Sequence, residues 1–442
     1  MHIRLKKTSL KRGVGIVRTF GEIFPDGSVL ELVAAASGDH LNLLLRNGEA
    51  TVVAPQIEYG GNIYQPHDLD ESIVRAIRFP REPENYGTVG KLFAELTSLL
   101  EQHQAFSKPE AERTAYWIIA SWFCDCLPSP LTLWVSGADM GRAMTLFRQF
   151  RCLCRRALLL SGITRAGFLS LPLSLHPTLL LSQPSLPRSV QDLLRESNYR
   201  DLFIPRGRGR VLDVTCAKAI FAGMEGSALP SSAGTLHLPL LPVDSELPIL
   251  DERALTEIAD YFLPRLLKYR LEYAQKVRES RFAVKELKLP TRELARNLGA
   301  CIQGDADLAL RVIPLLQSQD DVAFDLCNLD SAIVEILWPR LHSGATEGTA
   351  GEIRIEEELM KDANTFLRCC GETWQYSREE VGKRLACLGL ARQRKNFGMV
   401  LLLDRQTSRR VHQLARGYGI GKKVPECLDC QEGADPRRVM VV

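Results

Sequence analysis

No stretch of this 442-residue sequence is apolar for long enough to cross a bilayer. The most apolar one, Phe168 to Leu186, is interrupted by Pro172, His176, Pro177 and Pro184; that suits a buried strand, whereas a spanning helix needs about 20 apolar residues in succession. No secretory leader is expected either. Met1 to Gly13 is basic, but neither an apolar run nor a small-residue cleavage site follows, so a soluble, cytoplasmic protein is expected, with no membrane partner. Excess charge is small, a formal net of +3, so any affinity for nucleic acid has to come from a local concentration of Lys and Arg. There is no internal repeat, no low-complexity tract and no dinucleotide fingerprint. None of the eight histidines has a recognisable spacing from a nucleophile or a carboxylate pair, which removes the common hydrolase readings. Twelve cysteines without a leader point to reduced thiols, not to a disulfide scaffold.

What is present is enough apolar residue, 45%, to bury a core, in a length that suits two or three domains. Ile16 to Phe20, Val29 to Ala35, Leu41 to Leu45 and Ala50 to Val53 read as strands, separated by Pro25-Asp26-Gly27, Gly38-Asp39 and Asn47-Gly48. Helical patterns follow over Tyr86 to Gln104 and Glu110 to Cys126. Apolar strand candidates then alternate with helices: Leu131 to Val135, Ala143 to Phe150, Arg156 to Leu160, Thr178 to Leu181, Ser189 to Arg195 and Val211 to Ala222. Such alternation predicts an α/β region with a largely parallel sheet. A Gly/Pro/Ser-rich stretch, Gly226 to Pro242, interrupts it, and Asp251 then caps a long amphipathic helix to about Val277.

After the first apolar run stands Ser136-Gly137-Ala138-Asp139-Met140-Gly141-Arg142-Ala143. A phosphate-binding loop of the G-x-x-x-x-G-K-[ST] kind wraps phosphate in backbone amides, reaches it with lysine and holds magnesium through a hydroxyl. Here the loop is one residue short, Arg142 replaces lysine, Ala143 replaces the hydroxyl and Asp139 brings a repelling charge. The strand that should end in magnesium-holding acids, Thr178 to Leu181, runs into Ser182-Gln183 instead. Both departures fall on the metal, so ATP with magnesium is a disfavoured cofactor and Gly137, Gly141 and Arg142 are at most a vestigial nucleotide site. The alternative for the two glycines is a plain turn.

The chain here resembles the primase-helicase associated ATPases of plasmids, phages and other mobile elements, related to helicases of the AAA and superfamily III type. The resemblance rests on Ala120-Ser121-Trp122 leading into Leu133-Trp134-Val135-Ser136-Gly137, on Pro177-Thr178-Leu179-Leu180-Leu181, on Ala217-Lys218-Ala219-Ile220 at a sensor-strand position, and on the helix end Leu266 to Leu271. It implies a P-loop NTPase-like core over roughly Tyr86 to Leu271, and replication or primase proteins as partners. Arg206-Gly207-Arg208-Gly209-Arg210 lies where related helicases carry a hairpin that touches DNA, so Arg206, Arg208 and Arg210 are candidate phosphate contacts. A solvated hairpin tip is the alternative.

Towards the C-terminus, Asp330 to His342 and Ile353 to Arg368 read as amphipathic helices, and Ser377 with Glu380 forms a capping box for a third, which Gly389 ends. Arg392 to Lys395, a turn, and Met399 to Leu403 predict a two-stranded hairpin, and Thr407 starts a closing helix. Three helices and a hairpin are the winged-helix order. From Gly371 to Lys423 there are 12 Lys plus Arg against 4 Asp plus Glu, a net of +8. Arg378, Lys383 and Arg384 on the third helix, with Arg392, Arg394 and Lys395 on the hairpin, are therefore the candidate contacts to double-stranded DNA. The alternative is a protein-contact module with a basic face. A further basic segment, Ser280 to Gly299, reads as largely helical apart from Pro290, and carries Arg281, Lys285, Lys288, Arg292 and Arg296. These extend the DNA footprint or simply line an exposed helix face.

Cys427-x-x-Cys430 is half of a zinc knuckle in a tail with no other Cys or His, and is read as incidental; no metal site is expected. Cys124, Cys126, Cys152 and Cys154 read as small buried hydrophobes, and His176 as a structural histidine. The predicted organisation is a β-rich segment (1–85), a degenerate ATPase-like domain (86–278), a helical connector (279–327), a winged helix (328–423) and a flexible tail (424–442). The expected function is DNA binding without ATP hydrolysis, in replication or maintenance of a mobile element, with homo-oligomerisation compatible. An atypical active helicase and an interaction scaffold are the alternatives.

Overall fold

The computed structural model describes residues 15–36, 38, 40–137, 139–183, 187–198, 200, 202–206, 209–222, 235–240, 247–287, 291–325, 329–342, 351–369, 375–396, 398–418, 420, 424 and 427–431. The chain forms two units, residues 1–316 and 317–442. No helix among the described residues is long and apolar enough to cross a membrane.

The first unit begins with strands β1 (Ile16–Thr19), β2 (Gly21–Ile23), β3 (Val29–Ala34), β4 (Leu41–Asn47), β5 (Ala50–Ala54), β6 (Ile57–Tyr59) and β7 (Asn62–Pro66). They build an antiparallel sheet β2-β3-β4-β5 and a smaller one, β1-β7-β6. Strand β3 is buried on both faces, and the two-residue period sends Val29 and Val33 into one apolar cluster and Leu30 and Leu32 into another. Glu31 shares the face of Val29 and Val33, so a carboxylate is carried into the interior.

Three helices follow, α1 (Glu71–Ala76), α2 (Val89–Gln104) and α3 (Lys108–Ser121). Helix α3 starts earlier than its apolar pattern predicts, because Ser107 and Glu110 close a capping box and Pro109 fits the first turn. Beyond them lie β8 (Thr132–Ser136), α4 (Met140–Phe150), β9 (Ala157–Leu160), α5 (Arg165–Ser170), β10 (Thr178–Ser182), α6 (Arg188–Glu196), β11 (Phe203–Arg206), β12 (Arg210–Asp213), β13 (Ala217–Ala222) and β14 (Thr235–Pro239). The mixed α/β character and the parallel sheet are as expected: β14-β8-β13-β10-β9 is five-stranded and wholly parallel. Its strands are apolar on both faces, with Leu133, Leu180 and Ala219 in one cluster and Trp134, Leu179 and Ile220 in the other.

Two expectations are corrected here. Val211 to Ala222 is not one element but two, β12 and β13, because β12 pairs with β11 as an antiparallel hairpin. The Gly/Pro/Ser-rich stretch does not simply interrupt the sheet: Thr235-Leu236-His237-Leu238-Pro239 adds its edge strand. Flanking turn residues concealed that short apolar alternation. Helix α7 (Glu252–Glu279) is capped by Asp251, whose carboxylate accepts from the Ala254 amide at 2.8 Å, and it buries Leu255, Ile258, Phe262, Leu266 and Leu267 against the core. The basic segment after it is only partly helical: α8 spans Thr291–Ala300, while residues 281–287 have no helix. Helix α9 (Ala306–Asp325) contains the division between the units.

The second unit contains α10 (Leu329–His342), β15 (Gly351–Arg354), α11 (Met360–Cys369), α12 (Arg378–Cys387), β16 (Arg392–Lys395), β17 (Gly398–Leu403), α13 (Arg405–Tyr418) and α14 (Leu428–Gln431). Where a helix was expected from Ile353, residues Gly351–Arg354 instead form a strand that pairs with β17, so the hairpin belongs to a three-stranded antiparallel sheet, β15-β17-β16. A π-turn, Ile355–Leu359, then leads into α11. Ser377 and Glu380 form the capping box of α12, and Gly389, at φ 72°, supplies the left-handed residue that stops it. The core contains Ile333, Leu337, Leu359, Leu367, Val381, Leu385, Leu401 and Val411.

Candidate functional site

In an open parallel sheet, ligands bind outside the carboxyl ends of the strands where the chain reverses its direction across the sheet. Here β8 connects across to β9 on one edge and β13 connects back past it to β14 on the other, so that crevice opens beyond Ser136, Ala222 and Pro239, which are register partners. Gly137, Gly141 and Arg142 all lie at it. Gly137 is where two strands close up: a Cβ there would stand 2.8 Å from the Leu240 carbonyl oxygen, and the Leu240 amide donates to Ser136 at 2.7 Å. Ala138 lies outside the described residues.

Asp139 is the N-cap of α4, and its carboxylate accepts from the Arg142 amide at 2.9 Å. The helix N-terminus that would hold an anion thus holds one from its own chain. Arg142 is 8% exposed; its guanidinium donates to the Gln104 carbonyl and lies 5.9 Å from the Phe106 ring, turned into the protein. Gly141 is exposed on the first turn and Ala143 is buried. Ser182 at the end of β10 is buried, and the side-chain Oε1 of Gln183 just after it accepts from the Ile163 amide at 2.8 Å.

A buried ion cluster of the unit has no motif in sequence. Glu31, Asp125, Arg155, Arg156 and Arg270 meet in the interior, with side chains 2–4% exposed except Asp125 at 17%. Arg270 grips Asp125 with two nitrogens, at 2.6 and 2.8 Å, and Glu31 through Nε at 2.6 Å, while Arg155 reaches Glu31 at 2.8 Å. Burial alone would raise the Glu31 pKa, but Arg155, Arg156 and Arg270 more than reverse this and bring it to about 2. Lys218 on β13 is also fully buried, against Asn198, and burial lowers it to about 8. The ion cluster ties β3, the segment after α3, the residues just before β9 and α7 into one body.

The expected thiols Cys124, Cys126, Cys152 and Cys154 are buried, and burial pushes Cys152 up to about 11. His176 has its Nδ1 3.1 Å from the Thr215 carbonyl.

Of the candidate DNA contacts, Arg206 and Arg210 are register partners across the β11–β12 hairpin, and Arg208 lies outside the described residues. In the second unit α12 and β16 share a surface, since Arg392 Nη1 would stand 2.7 Å from a Cβ at Gly382. Lys383 and Arg384 of α12 and Arg392 and Arg394 of β16 are exposed. Three cations carry local acids: Arg378 with Glu356 at 2.6 Å, Arg384 with Asp330 at 3.6 Å, and Lys395 with Glu352. Among the described residues no ion pair forms on Lys383, Arg392 or Arg394. Neutralisation by Glu352 and Glu356 was hidden in sequence because both acids lie outside the counted basic segment.

Cys427 and Cys430, read as an incidental pair, are joined in space by His342 from α10 and His412 from α13. No local spacing connects residues 70 apart, so sequence reading had no signal for this.

No protein-family model and no curated protein sequence matches the chain. Among solved structures, it is similar to an apo A form of the NrS-1 C-terminal region, at 10% identity and TM-score 0.33, over 84% of this chain and 95% of that one. A second determination of that region matches with TM-score 0.34 at 10% identity, over 85% and 96%. It is also similar to a full-length MCM homolog from Methanopyrus kandleri, at 12% identity and TM-score 0.30, over 66% of this chain and 76% of that one, and identity of that order transfers no residue role.

Proposed function

We propose that this chain is a DNA-binding protein of the replication or maintenance machinery of a mobile genetic element, combining a P-loop-type core that does not hydrolyse ATP with a winged-helix module that meets duplex DNA. The observation that carries the reading is that β16 packs on α12 through Arg392 and Gly382, and that Lys383 of α12 and Arg392 and Arg394 of β16 are exposed. Its order of a helix, a strand, two helices and a two-stranded hairpin is that of a recognition helix followed by a wing. Against hydrolysis stand Asp139, filling the anion position at α4, and Arg142, turned towards Gln104. The magnesium ligands are absent from the sequence at Ala143, Ser182 and Gln183. ATP turnover that vanishes in Arg142→Ala would replace this reading with an atypical ATPase.

The test is binding of a labelled duplex by fluorescence anisotropy across salt concentrations. Three phosphate contacts contribute about 2.7 to the slope of log affinity against log salt, so Lys383→Ala/Arg392→Ala/Arg394→Ala flattens the slope by that amount and weakens binding on the order of 10²-fold near physiological salt. Wild-type affinity that is micromolar or weaker and flat with salt removes the DNA function. The ion pairs on Arg378, Arg384 and Lys395 favour a second reading in that case, a protein-contact module.

A further inference from the structure

The geometry points to a structural zinc site in the second unit, with His342, His412, Cys427 and Cys430 as its four ligands. Their donor atoms all lie within 4.8 Å of one another. The two Nε2 atoms are 3.2 Å apart, Cys427 Sγ is 3.3 Å from His412 Nε2, and Cys430 Sγ is 3.4 Å from His342 Nε2. A tetrahedral ion with Zn–S of about 2.3 Å and Zn–N of about 2.0–2.1 Å has edges of roughly 3.3 Å between nitrogens and 3.5 Å between nitrogen and sulfur. The four atoms therefore stand close to the corners such an ion requires.

A second observation points the same way. His342 Nδ1 lies 2.8 Å from the Trp338 carbonyl, and His412 Nδ1 lies 2.8 Å from the Ser408 carbonyl, each one helical turn back. A carbonyl only accepts, so both Nδ1 atoms carry the proton and both Nε2 lone pairs face the same point. Two lone pairs at hydrogen-bond distance repel unless a cation lies between them. This is the arrangement by which outer contacts orient ligating histidines. Trp338 packs on both rings, with centroids 4.4 Å from His342 and 4.9 Å from His412, and limits their rotation.

The thiols are presented as a knuckle. The Cys430 amide donates to the Cys427 carbonyl at 3.1 Å at the start of α14. Ser408 on α13 donates to Asp429 at 2.7 Å, and Arg409 pairs with the same carboxylate at 3.7 Å, holding α14 on α13. Four protein ligands leave no open position, so the ion is structural and not catalytic. It staples the chain after α13 back onto the end of α10 and the middle of α13, and its two thiolates balance the charge of a divalent cation.

The test uses the full-length protein, purified without chelator. Elemental analysis is expected to give about one zinc per chain, and cobalt(II) in its place is expected to show tetrahedral d–d bands with a thiolate charge-transfer band. Cys427→Ser/Cys430→Ser removes the metal, and Cys387→Ser, an exposed cysteine of the same unit, keeps it. Should the double variant not fold, alkylation of the wild-type protein mapped by mass spectrometry serves instead: Cys427 and Cys430 are protected with zinc and labelled after chelation. Zinc-free protein that gives no cobalt charge-transfer band overturns the proposal. So does metal retained in the double variant, or chelator-dependent labelling that falls on other cysteines.

Discussion

Replacing Glu31 by glutamine tests whether the buried ion cluster holds the first unit together. The amide keeps the shape but removes the charge that Arg155, Arg156 and Arg270 share, leaving three guanidinium groups with Asp125 alone. Breaking a buried pair by removing one partner costs about 3–5 kcal/mol, because the remaining charge stays desolvated. An independent route gives a similar size. The Glu31 carboxyl falls from 4.5 to about 2 on folding, and that shift corresponds to roughly 3 kcal/mol. A depressed carboxylate stabilises the fold fully above its unfolded value and loses that contribution as pH falls through the folded one. The difference between wild type and Glu31→Gln is therefore largest at neutral pH and shrinks from about 4.5 down to about 2. Calorimetry at pH 7 should show Tm lowered on the order of 10 °C for a unit of this size. A difference below about 1 kcal/mol at neutral pH, or one that persists undiminished at pH 2, would refute the reasoning.

Two further substitutions examine the parallel sheet. Gly137→Ala places a Cβ 2.8 Å from the Leu240 carbonyl and should cost about 1–3 kcal/mol by parting β14 from β8, measured by urea unfolding; unchanged stability would mean the strand ends do not pack so closely. Lys218→Met should be neutral or stabilising at pH 7, since it replaces a buried ammonium by an apolar chain of similar length. Burial depresses the lysine from 10.5 to about 8, so wild-type stability rises with pH across that interval; the variant should lose this rise, and an identical pH profile in both proteins would count against a buried amine.

Periodicity and capping determined much of this protein without the third dimension. The alternation of apolar runs and helices is sufficient for a parallel sheet, since crossover helices bury both of its faces, and the strings around Leu133 and Leu180 mark its strands. Ser377 with Glu380, and Asp251 before α7, locate helix starts because capping is a contact between neighbours in the chain. That Ala143 and Ser182-Gln183 offer no carboxylate is likewise written in residue identity alone. Tertiary structure decided what depends on distance. It turned Arg142 to Gln104, brought Glu31 from β3 to Arg270 of α7, placed Glu352 and Glu356 against cations counted as free, and recruited Thr235–Pro239 as an edge strand. It also carried His342 and His412 to Cys427 and Cys430, although they are 88 and 15 residues away along the chain. Spacing rules see only ligands held by one local turn, and these four are assembled by the packing of α10, α13 and α14.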